Sequence, residues 1–152
     1  MANRATHDVW GVGAGAIAAA WCARSQTPEH QILEVVGGCL GGWGGSRLPD
    51  VFDPPTCPNH RSWAHGVVPV GFVGSGISYL DLIAQLQGHL RAQADAVAAK
   101  RAELTTDVER LISIVIECLM RAAAGAVPGV VAGYASHLGL DAGTRKGLPP
   151  LG

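Results

Sequence analysis

Four apolar runs constrain this chain more than anything else in it: Val9 to Cys22, Ile32 to Gly45, Gly66 to Leu80 and Ala122 to Ser136. Each is 14 or 15 residues long, short of the ~20 that a helix needs to cross a hydrocarbon core. Gly and Ala dominate the runs, so they are weakly hydrophobic and their backbones can approach closely, as in membrane bundles and tightly packed soluble ones. They read as buried core helices or shallow membrane-associated helices rather than full spans. The first run follows Arg4 and has the look of a signal peptide, but His7 and Asp8 stand at its mouth and bulky Trp21 lies where small residues belong, which argues against cleavage.

The 152 residues suit a single domain with one core, residues 1–152. Eleven Lys and Arg against 12 Asp and Glu leave no basic footprint for nucleic acid. Cys22, Cys39, Cys57 and Cys118 show no paired spacing and read as reduced thiols in a cytosolic setting.

The periodicity predicts an all-α fold. Thr6 can cap a helix from His7 to Ala23, and a second helix runs from Glu29 to Leu40 before the glycines of 37–45 weaken its end. A short helix is expected from Ser62, and a long one from Ser78 to Leu104. In the long helix Ile83, Leu90, Val97 and Leu104 recur every seven residues, with charged and Gln residues on the other faces. Thr106 with Glu109 forms a capping box, followed by a stripe of Val108, Leu111, Ile112, Val115, Ile116 and Leu119. These two helices read as a water-facing antiparallel hairpin, with a dimerising coiled coil through residues 80–120 as the alternative. Pro128 suits the first turn of a last helix reaching Leu140. The expected architecture is a compact helical bundle with a long amphipathic hairpin and a Pro-rich loop carrying a metal site.

That loop is residues 47–66, RLPDVFDPPTCPNHRSWAHG. Its four prolines predict a stiff, irregular segment. Asp50, Asp53, His60 and His65 within it are the residue types that bind metals. His60 and His65 are five apart, about 140° around a helix, so they cannot share one helical face. His65 is the better metal ligand, and His60 beside Arg61 suits substrate binding. A second cluster lies in residues 133–149, where His137 and Asp141, four apart, project from one face with Tyr134 on the same stripe.

These residues stand in a recognisable order: Thr6-His7 opening a small-residue helix, Leu48-Pro49-Asp50 with a second acid and Pro, His60-Arg61 and His65-Gly66, and finally Gly133-Tyr134, Ser136-His137, Asp141, Thr144 and Gly147-Leu148-Pro149. The pattern resembles the YdjM-like family, described as LexA-regulated, inner-membrane-associated, predicted metal-dependent hydrolases. Matching segments cover about residues 5–23, 45–70 and 126–150. The resemblance implies metal ligation by Asp50, His65, His137 and Asp141, with His7 as a further ligand. It implies a broader similarity to all-helical zinc-dependent phospholipases C and related nucleases. The chain departs from the commoner pattern after Asp50: the second acid, Asp53, is displaced by one residue and the adjacent His is absent. Residues 81–110 are also charged where typical members are apolar, so membrane attachment is expected to be shallow, at the cytoplasmic side of the inner membrane, with a soluble cytoplasmic protein as the alternative.

The chemistry expected of such a site is hydrolysis. Mixed Asp and His ligands suit Zn²⁺, with Mn²⁺ as the alternative, and an open coordination position supplies an activated water. Asp53 or His60 is then the general base or acid, and Arg61, Arg47 or Arg145 can pair with a phosphate. The expected substrate is a phosphoester, lipid-like or nucleotide-like, with the apolar scaffold favouring a lipid. The competing expectation is a non-enzymatic, metal-stabilised helical interaction module whose working surface is the hairpin.

Overall fold

The computed structural model describes residues 4–52 and 79–143, and among them every regular element is helical. Helix α1 is Arg4–Cys22, α2 Pro28–Gly45, α3 Leu48–Phe52, α4 Tyr79–Lys100 and α5 Asp107–Ala142, with one 3-10 turn at Arg101–Glu103. The all-α expectation holds, but several boundaries move. α1 begins before Thr6. The start of the Pro-rich segment is helical at Leu48–Phe52, with Pro49 in the first turn, where a missing N–H costs nothing. Pro128 lies inside α5 rather than at a helix start. The helix expected from Ser62 lies outside the described residues.

The largest correction is at the glycines of 37–45, which do not fray: α2 continues to Gly45. Tertiary contact overrides their poor helix propensity, a cost of about 0.5–1 kcal/mol per Gly relative to Ala. α2 lies between α1 and α5, antiparallel to the first and parallel to the second. Gly15 meets Gly38 and Gly42 across the α1 interface. Gly37, Gly41 and Gly45 meet Ala122, Ala126 and Val130 of α5, while Gly125, Gly129 and Gly133 return the contact onto Glu34, Gly38 and Gly42. A Cβ on any of these glycines would overlap the facing backbone. Helices this close gain dispersion and Cα–H···O contacts that larger side chains would prevent.

The interior is correspondingly small and polar. Among the described residues the fully buried apolar ones are Ala19, Ala23, Ala94 and Ala124, whereas Arg121, His137 and Glu34 are the largest buried side chains. Trp10, Ile17, Trp21, Ile32, Leu40, Leu111 and Leu119 are all exposed. Four Ala methyls contribute only about 3 kcal/mol at roughly 0.8 kcal/mol each, and among the described residues no Val, Leu, Ile, Met, Phe, Tyr or Trp side chain is fully buried.

α4 and α5 form the expected antiparallel hairpin, and the capping box is present: Glu109 N–H donates to Thr106 Oγ1 at 3.2 Å and Thr106 N–H to Glu109 Oε2 at 3.0 Å. The apolar stripe of α5, however, turns outward, and Ser113, Glu117, Arg121 and Ala124 form the inward face instead. Charge pairs line this junction. Arg91 makes a bidentate pair with Glu34 at 2.8 and 2.6 Å and also reaches the Cys22 carbonyl at 3.1 Å. Arg121 binds Asp95 and donates to Gln26 Oε1 at 3.2 Å, and Arg101 binds Glu117, which also lies 3.3 Å from His30 Nε2. Part of the charge read as solvated in the sequence therefore clamps α4 to the bundle.

Candidate metal centre

The glycine seam sets the site. Gly11 of α1 and Gly133 of α5 both press on Gly42 of α2. One helical turn beyond that rung, at 3.6 residues per turn, come His7 of α1, Ser46 at the end of α2, and His137 of α5. Asp141 follows His137 by a further turn, and α3 brings Asp50 to the same end of the bundle.

His137 Nδ1 lies 2.6 Å from the Ser46 carbonyl oxygen. A carbonyl only accepts, so Nδ1 carries the proton, and in the neutral ring the lone pair is on Nε2. Nε2 is 3.7 Å from Asp50 Oδ1 and 3.7 Å from Asp141 Oδ2. His7 Nε2 is 3.7 Å from Asp141 Oδ1, and the two imidazoles stack with centroids 4.0 Å apart. These separations exceed hydrogen-bond length. They approach the ~3.3–3.4 Å between neighbouring ligands of a tetrahedral ion with bonds of about 2.0–2.1 Å.

Burial sharpens the electrostatics. His7, His137 and Asp141 are 6%, 1% and 4% exposed. Burial lowers the pKa of His7, and the adjacent His137 lowers it further, against the opposing pull of Asp141, Asp50 and Asp8. Neutral imidazole is the form that binds a metal. His7 Nδ1 is buried without a hydrogen-bond partner among the described residues. A divalent cation held between the two imidazoles and the Asp50 and Asp141 side chains would offset carboxylate charge at this end of the bundle. His7, His137 and Asp141 form a group that could hold a metal ion.

Of the five metal ligands expected from the sequence, four meet here: His7, Asp50, His137 and Asp141. His65, Asp53, His60 and Arg61 lie outside the described residues, as does Arg145. Arg47 is corrected. Its guanidinium is taken up by Asp8 through bonds of 2.8 and 2.6 Å and stacks over Trp43 at 4.0 Å, so it is not offered to a phosphate. The Arg47 bond in turn holds the Asp8 carboxyl below the usual carboxylate range. This pair ties the helix of His7 to the end of α2 that carries Ser46. Sequence reasoning missed it, although an acid directly after His7 and an Arg directly after Ser46 were the available signals.

No protein-family model, curated protein or solved structure matches this chain.

Proposed function

We propose that this chain is a metal-dependent hydrolase of YdjM-like type that cleaves a phosphoester at a membrane surface. The observation carrying this reading is the convergence of two buried histidines and a buried aspartate, drawn from opposite ends of the sequence, at one end of the bundle. His7, His137 and Asp141 hold the ion, Zn²⁺ or Mn²⁺, with Asp50 and His65 completing the set. The Ser46 carbonyl fixes the His137 tautomer, the usual role of a partner behind a metal-binding histidine. The bound ion supplies Lewis acidity and an activated water. Arg61 orients the phosphate, and Asp53 or His60 moves the proton. Association with a membrane is supported by α5, which is long and apolar enough to cross one, and we place the protein at the cytoplasmic side of the inner membrane.

Elemental analysis of the purified full chain, paired with a screen of phosphodiester and lipid substrates, tests the proposal. Bound metal with metal-dependent turnover supports it. Asp50→Asn should lower occupancy and turnover together. Arg61→Ala should keep the metal and lose roughly ten- to a hundredfold in kcat/KM, the loss expected of a charge-assisted contact worth about 1.5–3 kcal/mol. A metal-replete protein that hydrolyses nothing yet binds a partner or itself through residues 80–120 would favour the interaction-module reading, for which the outward apolar stripe of α5 is the supporting observation.

A further inference from the structure

We infer that the Asp8–Arg47 ion pair is a positioning clamp for the metal centre, which sets the approach of the His7 and His137 rings and thereby how tightly an ion is held. The inference rests on the metal-centre reading of this end of the bundle and adds to it two residues that are not themselves ligands.

Each partner of the pair adjoins a residue that aims an imidazole. Asp8 follows His7 in α1. Arg47 follows Ser46, whose carbonyl oxygen accepts from His137 Nδ1 at 2.6 Å. Arg47 donates to Asp8 from Nε at 2.8 Å and from Nη2 at 2.6 Å. The same residue also leads into the helix that carries Asp50, because its carbonyl oxygen accepts from Val51 N–H at 3.0 Å. α2 has ended at Gly45. Beyond it, Ser46 N–H donates to the Gly42 carbonyl and Arg47 N–H to the Gly44 carbonyl, both at 3.0 Å, while Ser46 Oγ donates to the Trp43 carbonyl at 2.9 Å. Those bonds run along the chain. The Asp8 pair crosses to α1, so it fixes the corner holding Ser46 and α3 against the helix holding His7.

The pair is built for geometry more than for stability. Side-chain exposures of 29% for Arg47 and 23% for Asp8 leave it open to water, where an ion pair adds little to folding. A two-bond fork between guanidinium and carboxylate fixes angle as well as distance, which a lysine contact does not. The face of Trp43, 4.0 Å from the guanidinium, restrains it further. Such restraint matters where the rings of His7 and His137 meet at 4.0 Å, because a metal site needs its ligands held within about 0.5 Å of the working arrangement. The Arg101–Glu117 pair makes the contrast. Its side chains are 30% and 13% exposed, but Glu117 lies 20 residues before His137, about 30 Å along α5 at a rise of roughly 1.5 Å per residue.

The test uses the full chain titrated with Zn²⁺ against a chelating dye, and separately loaded with Co²⁺. Arg47→Gln and Asp8→Asn should each lose about 10–100-fold in affinity, the range for groups that orient a metal ligand. The double variant should lose no more than either alone, because both changes remove one contact. The visible spectrum of the Co²⁺ protein should change shape in Arg47→Gln, which lower stability by itself would not cause. Arg47→Lys keeps the charge without the fork or the stacking and should lose less; if Arg47→Gln does not fold, Arg47→Lys takes its place in each comparison. Arg101→Gln should bind the ion like the parent. Parent-like affinity in the Arg47 variant, additive losses in the double variant, or an equal loss in Arg101→Gln overturns the inference. A parent that takes up no ion overturns the metal-centre reading instead, and the His137 ring then decides the clamp. In the metal-free protein, ¹⁵N chemical shifts should show the Nδ1–H tautomer in the parent and a mixture in the Arg47 variant; one tautomer in both would dismiss the clamp.

Discussion

His137 donates from Nδ1 to the carbonyl oxygen of Ser46 across 2.6 Å, and this bond lies one helical turn past the point where Gly133 presses on Gly42. The glycine contact and the imidazole tautomer are thus one construction. Two helices that touch at the backbone carry their next residues to hydrogen-bond distance, and the ring turns its other nitrogen to Asp50 and Asp141.

That dependence predicts a contrast between two glycines on one helix. Gly133→Ala places a methyl into the Gly42 backbone, whereas Gly139→Ala meets nothing within 4 Å. The first should destabilise by about 1–3 kcal/mol and lower metal occupancy; the second should be neutral or stabilise by about 0.5–1 kcal/mol through helix propensity. Thermal unfolding and elemental analysis check both. Equal effects would separate the seam from the site.

Asp141→Asn keeps the shape of the side chain and removes its charge. Metal affinity should fall by more than the roughly 10–100-fold typical of losing a supporting partner, as measured by competition with a chelating dye. Unchanged affinity would remove Asp141 from the ligand set.

The Arg91–Glu34 pair is asymmetric in burial: the Glu34 side chain is 0% exposed and that of Arg91 19%. Arg91→Met leaves a carboxylate buried without its partner and should cost about 3–5 kcal/mol. Converting both residues to apolar ones of similar size should recover much of this. Chemical denaturation of the two variants decides the point, and a single variant as stable as the parent would show that α4 is held by other contacts.

The metal-free protein should lose stability as pH falls below about 6.5, the ordinary value for His7. With its pKa lowered by burial and by His137, folded His7 binds fewer protons than the unfolded chain does, so stability rises with pH across that window and levels off above it. His7→Phe should flatten the dependence in urea titrations between pH 5 and 8. Parallel curves for the two proteins would contradict the assignment.

Helix positions set by neighbours up to four residues away were legible in the sequence. The capping box at Thr106 and Glu109, the placement of His137 and Asp141 on one face, and the hairpin all follow from spacing that the backbone enforces locally. The gathering of His7 and Asp50 with them followed in the sequence only from a resemblance in motif order, because no local rule links residues this far apart. Other features needed the tertiary structure. Gly37 to Gly45 stay helical because facing backbones occupy the space a side chain would take. The stripe on α5 faces outward because Ser113, Glu117 and Arg121 find charged and polar partners across the junction. Glu34, a lone acid in an apolar run, was the visible hint of that junction, but its meaning came from Arg91, 57 residues away. Propensity and periodicity act along one helix, whereas which face turns inward depends on the helix opposite and on the solvent around both.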